Sequence, residues 1–273
     1  MSDFQSRVTK TFSDWTLWYD EHFGGWMRYA ANMVLNEIKI PENPTCLDVA
    51  CGTGLSTFEL IKQCNNKGTF YGIDISKNMI DQARRIASEK EIDNVEFQYG
   101  DVEKIGFPDS TFDVVLCNMS IPFFPNKPKA FSEMSRVLKH GGQYAFTYNA
   151  KPHFKEGIEN AFKVAANHPE VPTFHQAVTD TQNMFIDIEE SRDFLEGVGL
   201  NVSNMYGRHS VNYADPSFLV SDRNSAWDTW KQALPENIID VIGRELVKAG
   251  REVSGSRGFK YTGYIIFAWG TKQ

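Results

Sequence analysis

Leu47-Asp48-Val49-Ala50-Cys51-Gly52-Thr53-Gly54 is the stretch on which the reading of this chain turns. An apolar run from Thr45 to Val49 hands over there to a helical pattern carrying Phe58 and Leu60, with two glycines in the turn between. Without side chains at Gly52 and Gly54 the backbone bends sharply and lets a ligand lie against its amides, near the positive end of the helix dipole. Such a turn suits a nucleotide-like cofactor. The dinucleotide fingerprint G-x-G-x-x-G needs a third glycine where this chain has Thr57, which weakens a nicotinamide reading.

Asp48, at the strand end, would repel a bound pyrophosphate and attract a cofactor bearing an amino group. S-adenosylmethionine bears one. Working outward, short apolar runs alternate with helical patterns from Thr45 to about Tyr148, the signature of βαβ units around a parallel sheet. Strands are expected at Thr45 to Val49, Thr69 to Asp74, Val95 to Tyr99, Phe112 to Asn118 and Gln143 to Tyr148. Met79, Ile80, Ala83, Ile86 and Ala87 recur at helical spacing after Ser76, a capping residue, so a helix is expected over Ser76 to Lys90. Another runs from Lys127 to Leu138 and ends at Gly141. Asp74 ends the second strand about where an acid grips both ribose hydroxyls of an adenosine. Asp101, after the third, is placed to accept an adenine amino hydrogen, and Asn118 closes the fourth strand facing the same crevice.

These segments resemble the class I S-adenosylmethionine-dependent methyltransferases. LDVACGTG (47–54) stands as motif I, YGIDIS (71–76) as motif II and YGDVEKIGFPDSTFDVVLCN (99–118) as the later motifs. AFSEMSRVLKHGGQYAF (130–146) is similar to the helix, turn and fifth strand of the ubiquinone/menaquinone-biosynthesis-like small-molecule branch. The likeness covers roughly Tyr19 to Tyr148. It implies a Rossmann-like α/β fold: a seven-stranded, mostly parallel sheet with helices on both faces, a helical N-terminal lid and C-terminal helical insertions. It also implies that Asp48, Ala50, Gly52 and Gly54 cradle the methionine part, Asp74 with Ile75 the ribose, and Asp101 with Val102 the adenine. Met79 packs on the adenine or in the core, and Tyr19, of a Tyr19-Asp20 pair typical of this branch, touches the cofactor. The product would be S-adenosylhomocysteine. Two positions depart from the pattern: Ala50 replaces the first glycine and is expected at ordinary negative φ, and His140 stands where proline is common.

The remaining features bound the function. A chain of 273 residues with 41% hydrophobic content builds a real core. Its net charge of −7 argues against a nucleic-acid substrate. The start, Met1 to Lys10, lacks an apolar signal core, and no stretch is apolar enough for a membrane span. Cys46, Cys51, Cys64 and Cys117 lack zinc-site spacing, so no metal is expected, and three lie in or beside strand-like runs as small hydrophobes, which fits a reducing cytoplasm.

The chain is read as one domain over 1–273: lid helices in 1–40, the cofactor core in 41–150, insertions with a core helix and strand in 151–258, and a last strand in 259–273. Lys151 to Gln182, with scattered His, Pro and Asn and little strand character, reads as an insertion. Asp187 and Glu190 form a capping box for a helix ending at Gly199, after which strand sequence resumes at Leu200. Phe12, Trp15, Tyr19, Phe23 and Trp26 fall on one helical face and form a lid. With Met119 to Pro128 and the insertions they would enclose a small-molecule methyl acceptor. Methyl transfer needs chiefly alignment and exclusion of water, so no catalytic residue is assigned. His22, His153, His175 and His209 stay open as bases, while His140 and His168 read as turn and loop. The expectation is methylation of an O, C or N atom of a small aromatic or apolar metabolite. The alternatives are another S-adenosylmethionine-using transferase or a non-catalytic scaffold.

Overall fold

The computed structural model describes residues 3–273, so the first two residues of the polar start lie outside the described residues. Chain order is α1 (Asp3–Trp15), α2 (Tyr19–Leu35), β1 (Thr45–Val49), α3 (Leu55–Gln63), β2 (Thr69–Asp74), α4 (Lys77–Glu89), β3 (Val95–Tyr99), β4 (Phe112–Asn118), α5 (Lys127–Val137) and β5 (Leu138–Asn149). It continues with α6 (Lys155–Ala166), α7 (Pro172–Asn183), α8 (Ile188–Gly197), β6 (Leu200–Ala214), α9 (Ser225–Lys231), α10 (Glu236–Glu252) and β7 (Phe259–Lys272). One seven-stranded sheet runs β3-β2-β1-β4-β5-β7-β6. The pairs β1·β2, β1·β4, β2·β3 and β4·β5 are parallel.

The chain divides into two compact units. The sheet unit comprises 12–148, 188–207 and 266–273. Its central strands are apolar almost without interruption, as parallel strands covered on both faces must be: Leu47, Val49, Phe70, Val114, Val115, Leu116 and Phe146 are all buried. The parallel register sets Asp48 opposite Gly72 and Asp74 opposite Tyr99, so the carboxyl ends of β1, β2 and β3 finish along one edge.

The helical unit comprises residues up to 11, 149–187 and 208–265. Phe154, Phe174, Trp230, Leu246 and Phe259 form its own buried core. Trp230 is fully buried, and its Nε1 donates to Thr181 Oγ1 at 2.8 Å.

Several boundaries differ from the sequence reading. The insertion after Tyr148, expected to be helical, holds α6 and α7, whose bounds the sequence did not place. Helix α5 stops at Val137 and passes straight into β5 at Leu138, so Gly141, at φ +73°, lies within the strand and does not end the helix. The β4·β5 register jumps from Phe112↔Leu138 to Val114↔Gln143, a bulge that absorbs the residues between. The aromatic lid is two helices broken at residues 16–18. Trp26 is off its cluster, 43% exposed and stacked on Tyr29 at 5.5 Å.

Candidate cofactor and acceptor site

Asp48 lies at the carboxyl end of β1 and is 1% exposed. Its Oδ2 accepts the Thr57 hydroxyl at 2.7 Å, while its Oδ1, also buried, has no partner among the described residues. Burial pushes this carboxyl up to about 7; the Thr57 bond opposes the shift and the charge of Asp74 adds to it. An unpartnered buried carboxyl oxygen is costly unless a donor meets it when the site is loaded.

The turn that follows is left-handed three times: Ala50 at φ +55°, Gly52 at +56° and Gly54 at +87°. The expected negative φ at Ala50 is therefore wrong. The path of the turn is set by its bonds, Cys51 N–H to Ile73 O and Gly52 N–H to Asp74 Oδ2, and alanine adopts the conformation glycine would take. A Cβ on Gly52 would meet nothing within 4 Å, which leaves open room against the backbone. One on Gly54 would strike the Phe58 and Phe97 rings at 2.9 Å. Helix α3 begins here at Gly54, which offers no side-chain cap, and the Thr57 amide in its first turn bonds the Asp48 carboxylate.

Asp74 ends β2 and accepts two backbone amides, Gly52 at 2.9 Å and Ser76 at 2.8 Å. Burial raises its carboxyl and these amide bonds lower it, leaving a net upward shift. Ser76 caps α4 by accepting the Met79 N–H at 3.3 Å; Met79 itself is buried at 2% exposure, and Ile75 is half-buried. Asp101, half-buried after β3, accepts the Glu103 N–H at 2.9 Å within its own turn, next to Val102, which is buried. Asp48, Asp74 and Asp101 thus finish adjacent strands at one sheet edge. The Asn118 side chain is instead taken up by protein groups: its Nδ2 donates to Ser56 Oγ at 2.8 Å and to Met27 O at 3.1 Å, and its Oδ1 accepts the Thr147 hydroxyl.

Tyr19 opens α2, half-buried; burial raises its hydroxyl, with the charges of Asp74 and Asp20 adding to the effect. Asp20 accepts the Thr53 hydroxyl, tying α2 to the glycine turn. Sequence reasoning missed Thr53 and the work of Thr57. The signal for Thr57 was its place in the first turn of α3, where a buried acid at the preceding strand end needs a hydroxyl donor. Aromatic rings gather about Tyr19: Phe12 stands 5.1 Å from Phe123 and 6.1 Å from Tyr19, and Phe23 stands 5.3 Å from Tyr19 and 5.6 Å from Trp15. The two histidines of the sheet unit lie elsewhere: His22 is exposed with Nδ1 on Trp18 O, and exposed His140 bonds Gln273 O. In the helical unit His153 accepts the Tyr264 N–H, and burial pulls it down to about 4. His168 sits between Glu170 and Glu245.

A family model described as a methyltransferase domain matches residues 40–197. The chain belongs to this methyltransferase family. Aklanonic acid methyltransferase DauC of Streptomyces sp. (strain C5) is 32% identical over 159 residues, covering 57% of this chain and 70% of that protein. Demethylmenaquinone methyltransferase of Listeria monocytogenes serotype 4a (strain HCC23) is 31% identical over 176 residues, covering 64% and 73%. The crystal structure of the YcgJ protein from Bacillus subtilis shares the fold, with a TM-score of 0.61 at 18% identity over 90% of this chain and 98% of that one. The methyltransferase uses S-adenosylmethionine. Its residues fit that cofactor: an orphaned carboxyl oxygen for a cation and open room against the backbone at Gly52. No helix among the described residues is long and apolar enough to cross a membrane.

Proposed function

We propose that this methyltransferase methylates an O, C or N atom of a small aromatic or apolar acceptor and not a nucleic acid. The observation that carries this reading is the ring cluster of Phe12, Trp15, Tyr19, Phe23 and Phe123, joined to the glycine turn through Asp20 and Thr53. Flat apolar walls favour a flat apolar guest and exclude water from the reacting atoms. The names of the relatives, for aklanonic acid and for demethylmenaquinone, support a small-molecule acceptor. A cytoplasmic location rests on the cysteine usage of the chain.

Bound S-adenosylmethionine supplies the sulfonium methyl and leaves as S-adenosylhomocysteine. Asp48 holds its ammonium, with Ala50, Gly52 and Gly54 beneath the methionine part. Asp74 and Ile75 take the ribose, Asp101 and Val102 the adenine, with Met79 packed behind, and Tyr19 closes the near side. No general base is assigned, since aligning a ready nucleophile accounts for most of the rate. A turnover screen over small phenolic and enolic acids, peptides and RNA tests the reading: turnover on small acids is expected, and turnover on RNA or peptide alone rejects it. Within that screen Phe123→Ala should raise acceptor KM while cofactor affinity holds.

A further inference from the structure

We propose that Asn118 is a positioning residue for cofactor binding, acting through Ser56 and Met27 and not by touching the cofactor. The inference rests on the S-adenosylmethionine site described above. Asn118 ends β4 at 7% exposure. A side-chain amide offers two donor hydrogens and two acceptor lone pairs. Three of the four are taken by Ser56 Oγ, Met27 O and the Thr147 hydroxyl. An amide so bound is fixed in orientation and in turn fixes its partners.

Those partners are the parts of the site that must not drift. Ser56 stands in the first turn of α3, directly after the glycine turn and beside Thr57, which bonds Asp48. Met27 lies in α2, the helix that brings Tyr19 and Asp20 to the glycine turn. Thr147 belongs to β5 and is fully buried. One side chain therefore joins two strands and the two helices that border the cofactor turn. The backbone just beyond continues the brace. Met119 is held at φ +62°, its N–H on Thr147 O, and Ser120 Oγ lies 3.3 Å from the carbonyl of Ala50, itself left-handed. Non-glycine residues persist in that conformation only where their surroundings over-determine it. Both strained turns are tied to the same frame.

The test is calorimetry with S-adenosylhomocysteine, beside steady-state kinetics and thermal melts, on wild type, Asn118→Ala, Ser56→Ala and the double variant. Asn118→Ala and Ser56→Ala are each expected to weaken affinity about tenfold, the worth of one buried hydrogen bond. The double variant should be no weaker than Asn118→Ala, since both act on one link, and kcat at saturating cofactor should hold. Ser135→Ala, which breaks a buried bond to Val198 O of 2.8 Å elsewhere in the sheet unit, should lower Tm and leave affinity unchanged. Wild-type affinity in Ser56→Ala, losses that multiply in the double variant, or an equal loss in Ser135→Ala would each overturn the inference while the cofactor reading stands. A wild type that binds no S-adenosylhomocysteine overturns both.

Discussion

At the scale of single residues, the buried oxygen of Asp48 makes the site sensitive to pH. Its folded pKa, raised from 3.8 to about 7, means that between those values the folded chain holds a proton the unfolded chain has lost. Stability of the free protein should therefore fall as pH rises through that window. Cofactor affinity should run the other way, because only the ionised carboxylate attracts an ammonium. Calorimetry should find binding about tenfold weaker at pH 6 than at pH 8, as one proton on a pKa near 7 requires; in Asp48→Asn, weaker throughout, that slope should vanish. Ala50 offers a second test. A side chain at φ +55° carries strain of about 1 kcal/mol, so Ala50→Gly should raise the unfolding midpoint, and a lowered midpoint would refute the strain. The acids and glycines were legible in the sequence because motif spacing fixes strand ends. The sign of φ at Ala50 was not, because it is set by amide bonds to β2, and neither was Thr53, whose partner Asp20 lies far back in the chain.

At the scale of elements, the strands β1 to β4 were readable to the residue, since a buried parallel strand is a short apolar run bounded by turn residues. What blurred were joints. The α5–β5 passage has no loop, and a glycine that looked like a helix stop serves a strand bulge. Gly157 and Asn160 interrupt the apolar spacing of α6, which hid that helix. The face shared by Phe12, Trp15, Tyr19 and Phe23 was read correctly as a cluster, but a break at residues 16–18 folds two helices into it. Sheet packing supplies the prediction at this scale. A Cβ on Gly72 would lie 2.5 Å from the Phe97 ring and 2.9 Å from Cys51 Sγ. Gly72→Ala should cost about 1–3 kcal/mol by overpacking, seen as a lower melting temperature. Phe97→Leu in the same chain should recover part of it; no recovery would place the strain elsewhere.

At the scale of the whole molecule, every proposed cofactor contact falls in the sheet unit, while the helical unit has a core of its own. Trp230→Phe removes the bond to Thr181 and leaves a gap in that core, at a cost of about 1–3 kcal/mol. The melting temperature should drop while affinity for S-adenosylhomocysteine stays at wild type; a matching loss of affinity would show that the two properties are not separable. The division into units could not be read from the sequence, because each is assembled from three separate stretches of chain. That interleaving has a genetic corollary. The stretch 149–187 is a cassette flanked by the end of β5 and the start of α8, and it can be rewritten, or grafted from a cousin, without altering one codon of the glycine turn, whereas 208–265 begins inside β6 and ends inside β7. No single cut, by contrast, releases either unit whole, so a truncated clone of the matched family region would carry an unfinished sheet.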